Sequence, residues 1–332
     1  PLIYHFGGLK SVLPAKIIES VDFYPGNFSV AYGRGMGGVF DLHLARIEPD
    51  RFQGSVDVSV LDTSIYLEVP ITEDLAIGVA GRRSYVDFVL DAVIPDDAPI
   101  GLITAPRYYD YQFFGNWRPA PAHDVRWLLL GSDDLFRILF EDPAEAVQQG
   151  ATSNSASIGT DFQRATADYR YTPSQSLKNR LKVAAGIDNV NFDIFGFLGA
   201  RFNVKSLTGR DTLSYRFSEN INLDLGLDVE FIRSNGTIRL PPPTREGEPD
   251  GEFDADSILV ATVSDEDYFY AAPFVEAELK YQGLTLVPGL RLDYFGITKD
   301  WSVDPRLVAR YDFDKWAVKG GAGIVHQAPD FP

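Results

Sequence analysis

The sequence predicts an all-β protein, an antiparallel up-and-down transmembrane β-barrel of which about 13 strands are present. Three observations point there. Apolar and polar residues alternate with period two over most of the chain after Gly54, the alternating runs are long enough to cross a bilayer, and short and long connections alternate between them.

The alternation recurs along the chain. Val56, Val58 and Val60 alternate with Asp57 and Ser59, and after a break at Leu61 to Thr63 the residues Ile65, Leu67, Val69 and Ile71 alternate with Ser64, Tyr66 and Glu68. Tyr109, Tyr111, Phe113 and Trp117 oppose Asp110, Gln112, Asn116 and Arg118, and Ala165, Ala167, Tyr169 and Tyr171 oppose Arg164, Thr166, Asp168 and Arg170. The same holds for Leu181 to Ile187 against Arg180, Lys182 and Asp188, and for Ile221 to Val229 against Asn222, Asp224 and Asp228. Near the end, Val275 to Tyr281 alternate with Glu276, Glu278 and Lys280, and Leu307 to Phe313 with Arg306, Arg310 and Asp312. Most of these runs reach the roughly 9 to 11 residues that cross a bilayer at a tilt, whereas strands of water-soluble domains average nearer 5 to 6.

Short connections are expected at Thr72 to Asp74, Pro119 to Asp124, Pro173 to Ser176, Ser218 to Asn220, Gln282 to Gly283 and Asp314 to Lys315. Longer ones are expected at Phe88 to Pro106, Arg137 to Asp161, Gly196 to Ala200, Pro241 to Asp267 and Gly296 to Val303. Transmembrane barrels have short periplasmic turns and long extracellular loops, which assigns the two rims. Lipid offers no hydrogen-bonding partner to a charge, so the polar face of each strand is the lumenal one. A soluble sandwich also alternates, but rarely with connections so regularly unequal.

Composition removes other classes. Hydrophobic residues make up 45% and aromatics 13% of the 332 residues, too much apolar surface for a disordered chain. A net charge of -17 opposes nucleic-acid binding, which needs a surplus of Lys and Arg. The absence of cysteine excludes disulfides, thiolate zinc sites and cysteine nucleophiles. No run approaches the roughly 18 apolar residues of a membrane helix. The first residue is Pro1 rather than Met, and no signal peptide is recognisable, so the chain is expected to begin inside a longer precursor.

Residues Pro1 to Arg46 read differently: Pro14, Ile17, Ile18, Val21 and Phe23 precede a glycine-dense stretch and a closing strand Val39 to Ala45. The run from Tyr24 to Leu42, with Pro25 and Gly26, the adjacent Ala31 and Tyr32, Gly33, Gly35, and the paired Gly37 and Gly38, resembles the end of the plug domain of TonB-dependent outer-membrane receptors. The resemblance is specific over about forty residues. It implies that residues 1–50 are the C-terminal part of a plug and 51–332 barrel strands, truncated at the C-terminus. It also implies a Gram-negative outer-membrane location, no enzymatic activity and no cofactor. The implied function is uptake of an external solute (an iron chelate, cobalamin or a glycan) by plug remodelling, driven by a TonB-type inner-membrane complex through an N-terminal segment missing here. The other readings kept open are a non-transporting scaffold for adhesion or assembly and a passive porin, the plug arguing against the latter. Plugged receptors with about 22 strands would need roughly nine more.

The glycines 33, 35, 37 and 38 are expected to allow positive φ and close backbone approach. Gly33, Gly35 and Gly38 also fit a dinucleotide-binding spacing, but the alternating strand that follows offers no helix N-terminus for a pyrophosphate. His5, His43, His123 and His326 lack metal-ligand spacing, and no nucleophile or P-loop motif appears, so no catalytic or metal site is expected. Arg82, Arg83 and Tyr85, with Tyr108 and Tyr109 across the next loop, are the candidate contacts for an anionic or ring-bearing ligand, weighed against ion pairing in the lumen and an interfacial aromatic girdle. Glu246 to Asp267 carries nine acids and no base, the composition of a solvated loop with some capacity for divalent cations.

Overall fold

The structure, a computed structural model, describes residues 4–5, 10–48, 50–86, 103–139, 153, 155–240 and 258–327. Within them the period-two runs become thirteen strands of one sheet in unbroken chain order. They are β3 (Gln53–Val58), β4 (Asp62–Pro70), β5 (Leu75–Ser84), β6 (Ile103–Trp117), β7 (His123–Leu139), β8 (Ser155–Tyr171) and β9 (Leu177–Ile194). Then come β10 (Leu198–Ser218), β11 (Ile221–Leu240), β12 (Leu259–Tyr281), β13 (Leu284–Phe295), β14 (Asp300–Asp312) and β15 (Ala317–Gly323). Every neighbouring pair is antiparallel. The strand count agrees with the period-two reading.

Ahead of this sheet, β1 (Ile18–Tyr24) and β2 (Val39–Leu44) form a separate antiparallel pair. The amino-terminal segment shows that the large sheet curls around it. Lys16 donates to the Ser55 hydroxyl on β3, and Asn27 donates to the Gly321 carbonyl on β15 at 3.0 Å. The chain from Lys16 to Asn27 can stretch at most roughly 40 Å. Thirteen strands laid flat would hold β3 and β15 roughly 58 Å apart. Only a sheet bent into a trough lets one short segment touch both ends.

The two faces sort by polarity as lipid and lumen require. On β14 the outward Trp301, Val303, Leu307 and Tyr311 are exposed, whereas Asp304 and Arg306 between them are buried, Asp304 against His326 and Arg306 against the segment. From Trp301 to Tyr311 the strand runs about 33 Å, which at the tilt usual in such barrels subtends about 25 Å, the height of a lipid-facing band. Exposed Trp117, Phe217, Tyr281, Phe313 and Trp316 lie beside the short turns, as an aromatic girdle would.

Several expected outer loops are corrected to strand. Residues 155–161, 198–200 and 259–267 belong to β8, β10 and β12, leaving only 195–197 between β9 and β10 and 296–299 between β13 and β14. The physical reason is a switch of phase. Outward positions on β9 are apolar up to Ile187 and then Asn189 and Asn191, while the inward ones become Val190 and Phe192. The same reversal occurs after Ala165 toward Asp161 on β8, Leu207 toward Asn203 on β10 and Phe231 toward Asn235 on β11. It falls within two residues of one paired row, Gln163, Ile187, Lys205 and Arg233. Below that row hydrocarbon selects apolar side chains outside; above it the outer face meets water, and the alternation reverses.

Candidate solute site inside the barrel

The glycine-rich run is fastened to the wall by buried ions. Arg291 on β13 donates Nη1 to the carbonyls of Val30 and Ala31 at 3.3 and 3.2 Å, and it bonds Asp293 and, at 2.8 Å, Asp228 on β11. Arg306 on β14 donates to the carbonyls of Phe28, Ser29 and Tyr32 at 3.2, 3.0 and 2.7 Å. Glu276 accepts from the Val30 amide at 3.0 Å, and Arg34 pairs with Asp228 and Glu230 at 3.0 and 3.2 Å. Arg291, Asp293 and Asp304 have no exposed surface, so each charge depends wholly on its partners.

This packing defines what the motif residues do. A Cβ on Gly33 would lie 2.2 Å from Arg291 Nε, and one on Gly38 would meet the Phe23 ring and the Tyr24 carbonyl at 2.8 and 3.0 Å. Gly26, Gly35 and Gly37 have open space where a Cβ would stand. The expectation of positive φ is corrected: none of Gly33, Gly35, Gly37 and Gly38 adopts it, and Asn27 and Arg34 take the left-handed conformation at φ 48° and 58°. Pro25 and Gly26 lie exposed in the bend after β1. Tyr32 donates to Asp41 at 2.5 Å, and Arg210 on β10 covers its ring at 4.9 Å. Burial and the Asp41 carboxylate push the Tyr32 phenol above its ordinary range.

A second anchor lies near the outer end of β5 to β7. His5 is buried, with Nδ1 2.6 Å from Asp134 and Nε2 2.9 Å from Asp110, and it stacks on Tyr108 at 4.0 Å. Burial alone would depress the imidazolium, but hydrogen bonds and charge from Asp110 and Asp134 outweigh it and raise the His5 pKa above 6.5. Arg82 donates to Asp110 at 2.7 Å and to the Ser11 carbonyl, and Tyr108 donates to Asp62 at 2.6 Å.

The five candidate ligand contacts therefore do not form one cluster. Arg82 and Tyr108 face the lumen and hold the segment. Arg83 and Tyr109, one residue along, face outward, with Arg83 and Arg107 stacked on the Tyr109 ring at 5.4 and 5.3 Å. Tyr85 donates to the Ser59 carbonyl. Their separation was open to sequence reasoning, because neighbours in a strand point to opposite faces.

Between the segment and the wall of β7 to β11 lies a cavity of about 440 Å³, lined by Leu42 and Leu44 of β2 and by Arg126, Thr166, Lys182 and Arg210. Above the phase switch the same wall turns apolar toward the lumen through Ile158, Val190, Phe192, Phe202, Val204 and Ile232, and Val190, Phe192 and Phe202 are 39%, 41% and 38% exposed. This apolar wall is the part of the site the period-two reading missed. The acidic run is only partly visible: 246–257 lies outside the described residues, while Asp265 accepts from Asn235 and Asp267 binds Arg233 at 2.6 and 2.7 Å. Among the described residues no group of three or more metal-ligating side chains converges.

Residues 96–331 match the family described as TonB dependent receptor-like, beta-barrel. No curated protein matches the sequence. Solved structures similar in fold include a mutant ferric enterobactin receptor, PfeA, from Pseudomonas aeruginosa, with a TM-score of 0.66 and 16% identity over 96% of this chain and 50% of that one. The siderophore receptor PirA from Acinetobacter baumannii gives a TM-score of 0.64 and 14% identity over 96% and 49%. The outer membrane transporter YddB from Escherichia coli gives 0.62 and 12% over 97% and 50%. The chain thus spans about half the length of the solved receptors it matches.

Proposed function

The chain belongs to the TonB dependent receptor-like β-barrel family, and from that premise we propose that it is part of an outer-membrane transporter that takes up an external solute when an internal plug is remodelled from the periplasm. Residues 1–50 are read as the C-terminal part of that plug and 51–332 as barrel strands. The observation that carries the reading is the clamp of Arg291 and Arg306 on the carbonyls of residues 28–32. A segment whose backbone carbonyls accept from two buried arginine side chains does not drift aside thermally, so passage needs work done on it. This argues against a passive pore and for energy coupling of the TonB type.

The solute first meets the apolar wall of Phe192, Phe202 and their neighbours and then the cation-bearing cavity below, which suits a body with apolar surface. Arg82 and Tyr108 enter its path only after the His5 end is drawn away from Asp110 and Asp134; Arg83 and Tyr109 stand outside the lumen. The test is accumulation of labelled iron chelates, cobalamin and oligosaccharides by cells carrying the full-length protein, with inner-membrane energy transduction intact or disabled. Uptake of one solute class only when transduction is intact supports the proposal. Equal uptake in both means a pore, and no uptake or binding of any of them means a scaffold.

A further inference from the structure

Below the phase switch, the lumenal face of β8 to β10 carries more positive charge than the carboxylates beside it balance. Lys182 and Arg210 stand directly opposite each other on β9 and β10, and Arg170 and Arg180 do so on β8 and β9, two residues nearer the short turns. Like charges placed opposite across strands destabilise a sheet, so each pair calls for an anion. One carboxylate, Asp168, serves both Arg170, at 3.2 Å, and Arg180, at 2.5 Å. Lys182 reaches Asp41 of the segment only at 3.5 Å, and Arg210 reaches Asp228 only at 3.4 Å, where Arg291 and Arg34 are already bonded. The Nε atoms of Arg170 and Arg210 are buried and have no acceptor among the described residues. All four cations line the cavity of about 440 Å³ between segment and wall, where six Arg and Lys side chains meet three carboxylates. The chain as a whole carries -17, so this surplus belongs to the cavity and not to the composition.

We propose that Arg170, Arg180, Lys182 and Arg210 bind a doubly charged oxyanion, a phosphate monoester in type, on the body of the transported solute; this rests on reading the chain as a transporter. Charged side chains at membrane depth that face a cavity mark the path of a solute or an ion. Guanidinium forks match the oxygens of a phosphate, and four cations around one point favour two negative charges over one. The oxyanion supplies the acceptors that the Arg170 and Arg210 Nε atoms lack. Leu42, Leu44 and Val183 line the same cavity, so the body that bears the phosphate has apolar surface to rest on.

The full-length protein in neutral detergent, with the segment in place, is titrated calorimetrically with phenyl phosphate, benzenesulfonate and inorganic phosphate at about pH 8, where a phosphate carries close to two charges. Benzenesulfonate keeps the ring and loses one charge; inorganic phosphate keeps the charge and loses the ring. Phenyl phosphate should bind most tightly, about tenfold better than benzenesulfonate, and about tenfold less well in the Lys182→Gln, Arg210→Gln double variant, where two charge-assisted contacts are lost. Asp168→Asn, which releases Arg170 and Arg180, should tighten phenyl phosphate binding, and it carries the test if the double variant fails to fold by heat-shifted gel mobility. No binding of phenyl phosphate, equal affinity for benzenesulfonate, an unaffected double variant or no gain in Asp168→Asn overturns the proposal. Tighter binding of inorganic phosphate than of phenyl phosphate overturns it too, because the free anion would then be the ligand. The titrations use no energy source, so their outcome is separate from that of the uptake experiment on which the transport reading stands or falls.

Discussion

Arg291 illustrates why single residues govern the junction between segment and barrel. It has no exposed surface and serves Asp228, Asp293 and two backbone carbonyls at once. Arg291→Met should cost about 3 kcal/mol, because buried Asp293 would keep only Arg34, at 3.6 Å, among the described residues and Asp228 would lose one of the cations around it. Urea titration of the full-length protein in lipid measures this. Gly33→Ala should loosen the same junction, since its new methyl would meet the guanidinium, and earlier protease cleavage within residues 28–34 would register the loss. His5 adds a pH dependence. Its pKa is raised in the folded state, so its stabilisation is complete below about 6.5 and is lost as pH rises through the folded value. Asp110, Asp134 and Arg82 are the charged groups that face it, and Tyr108 stacks on it. The protection factors of residues 10–17, which correct for the base-catalysed intrinsic rate, should therefore fall as pH rises above 6.5 in the wild type and stay flat in His5→Gln.

At the level of the strand, the phase of alternation carries the information. Leu225 on β11 is exposed outward and pairs with Val275 and Leu213, all within the lipid band. Leu225→Arg should destabilise the inserted barrel by about 2 to 4 kcal/mol, as a base near the bilayer midplane does. Phe192→Arg, above the reversal and facing the lumen, should leave insertion unchanged and weaken binding of the transported solute. Equal destabilisation by both substitutions, measured by urea unfolding in lipid vesicles, would contradict the assigned boundary. The reversal also explains why β8, β10 and β12 run beyond the limits that a single phase suggests. A strand leaving hydrocarbon keeps its period but exchanges its faces, and a search for one fixed phase stops there.

For the whole molecule, the segment and the curled sheet are one mechanical unit. Contacts from Lys16 to β3 and from Asn27 to β15 join the two ends of the sheet through the lumen. Full-length protein in a planar bilayer should show no steady ionic conductance, and deletion of residues 1–48 should open an ohmic channel. A wild-type protein that conducts as freely as the deletion would refute occlusion by the segment. The match over residues 96–331 places the chain in its family, and the solved receptors share its fold, whereas the solute class and the energy coupling are our proposal, resting on the clamp and the apolar wall.

The sequence by itself determined the strand class and the lipid-facing side, because hydrocarbon and water act on each side chain locally and period two records that directly. It also held the glycine-rich run and the reversal at Asn189, Asn203 and Asn235, both local patterns. Only the tertiary structure decided that Arg291 and Arg306 reach back to residues 28–32, that Gly33 makes room for Arg291, and that Arg82 and Arg83 serve opposite sides of one wall. Those contacts join residues far apart in the chain, so their partners are set by how thirteen strands curl around one segment and leave no periodic trace along the sequence.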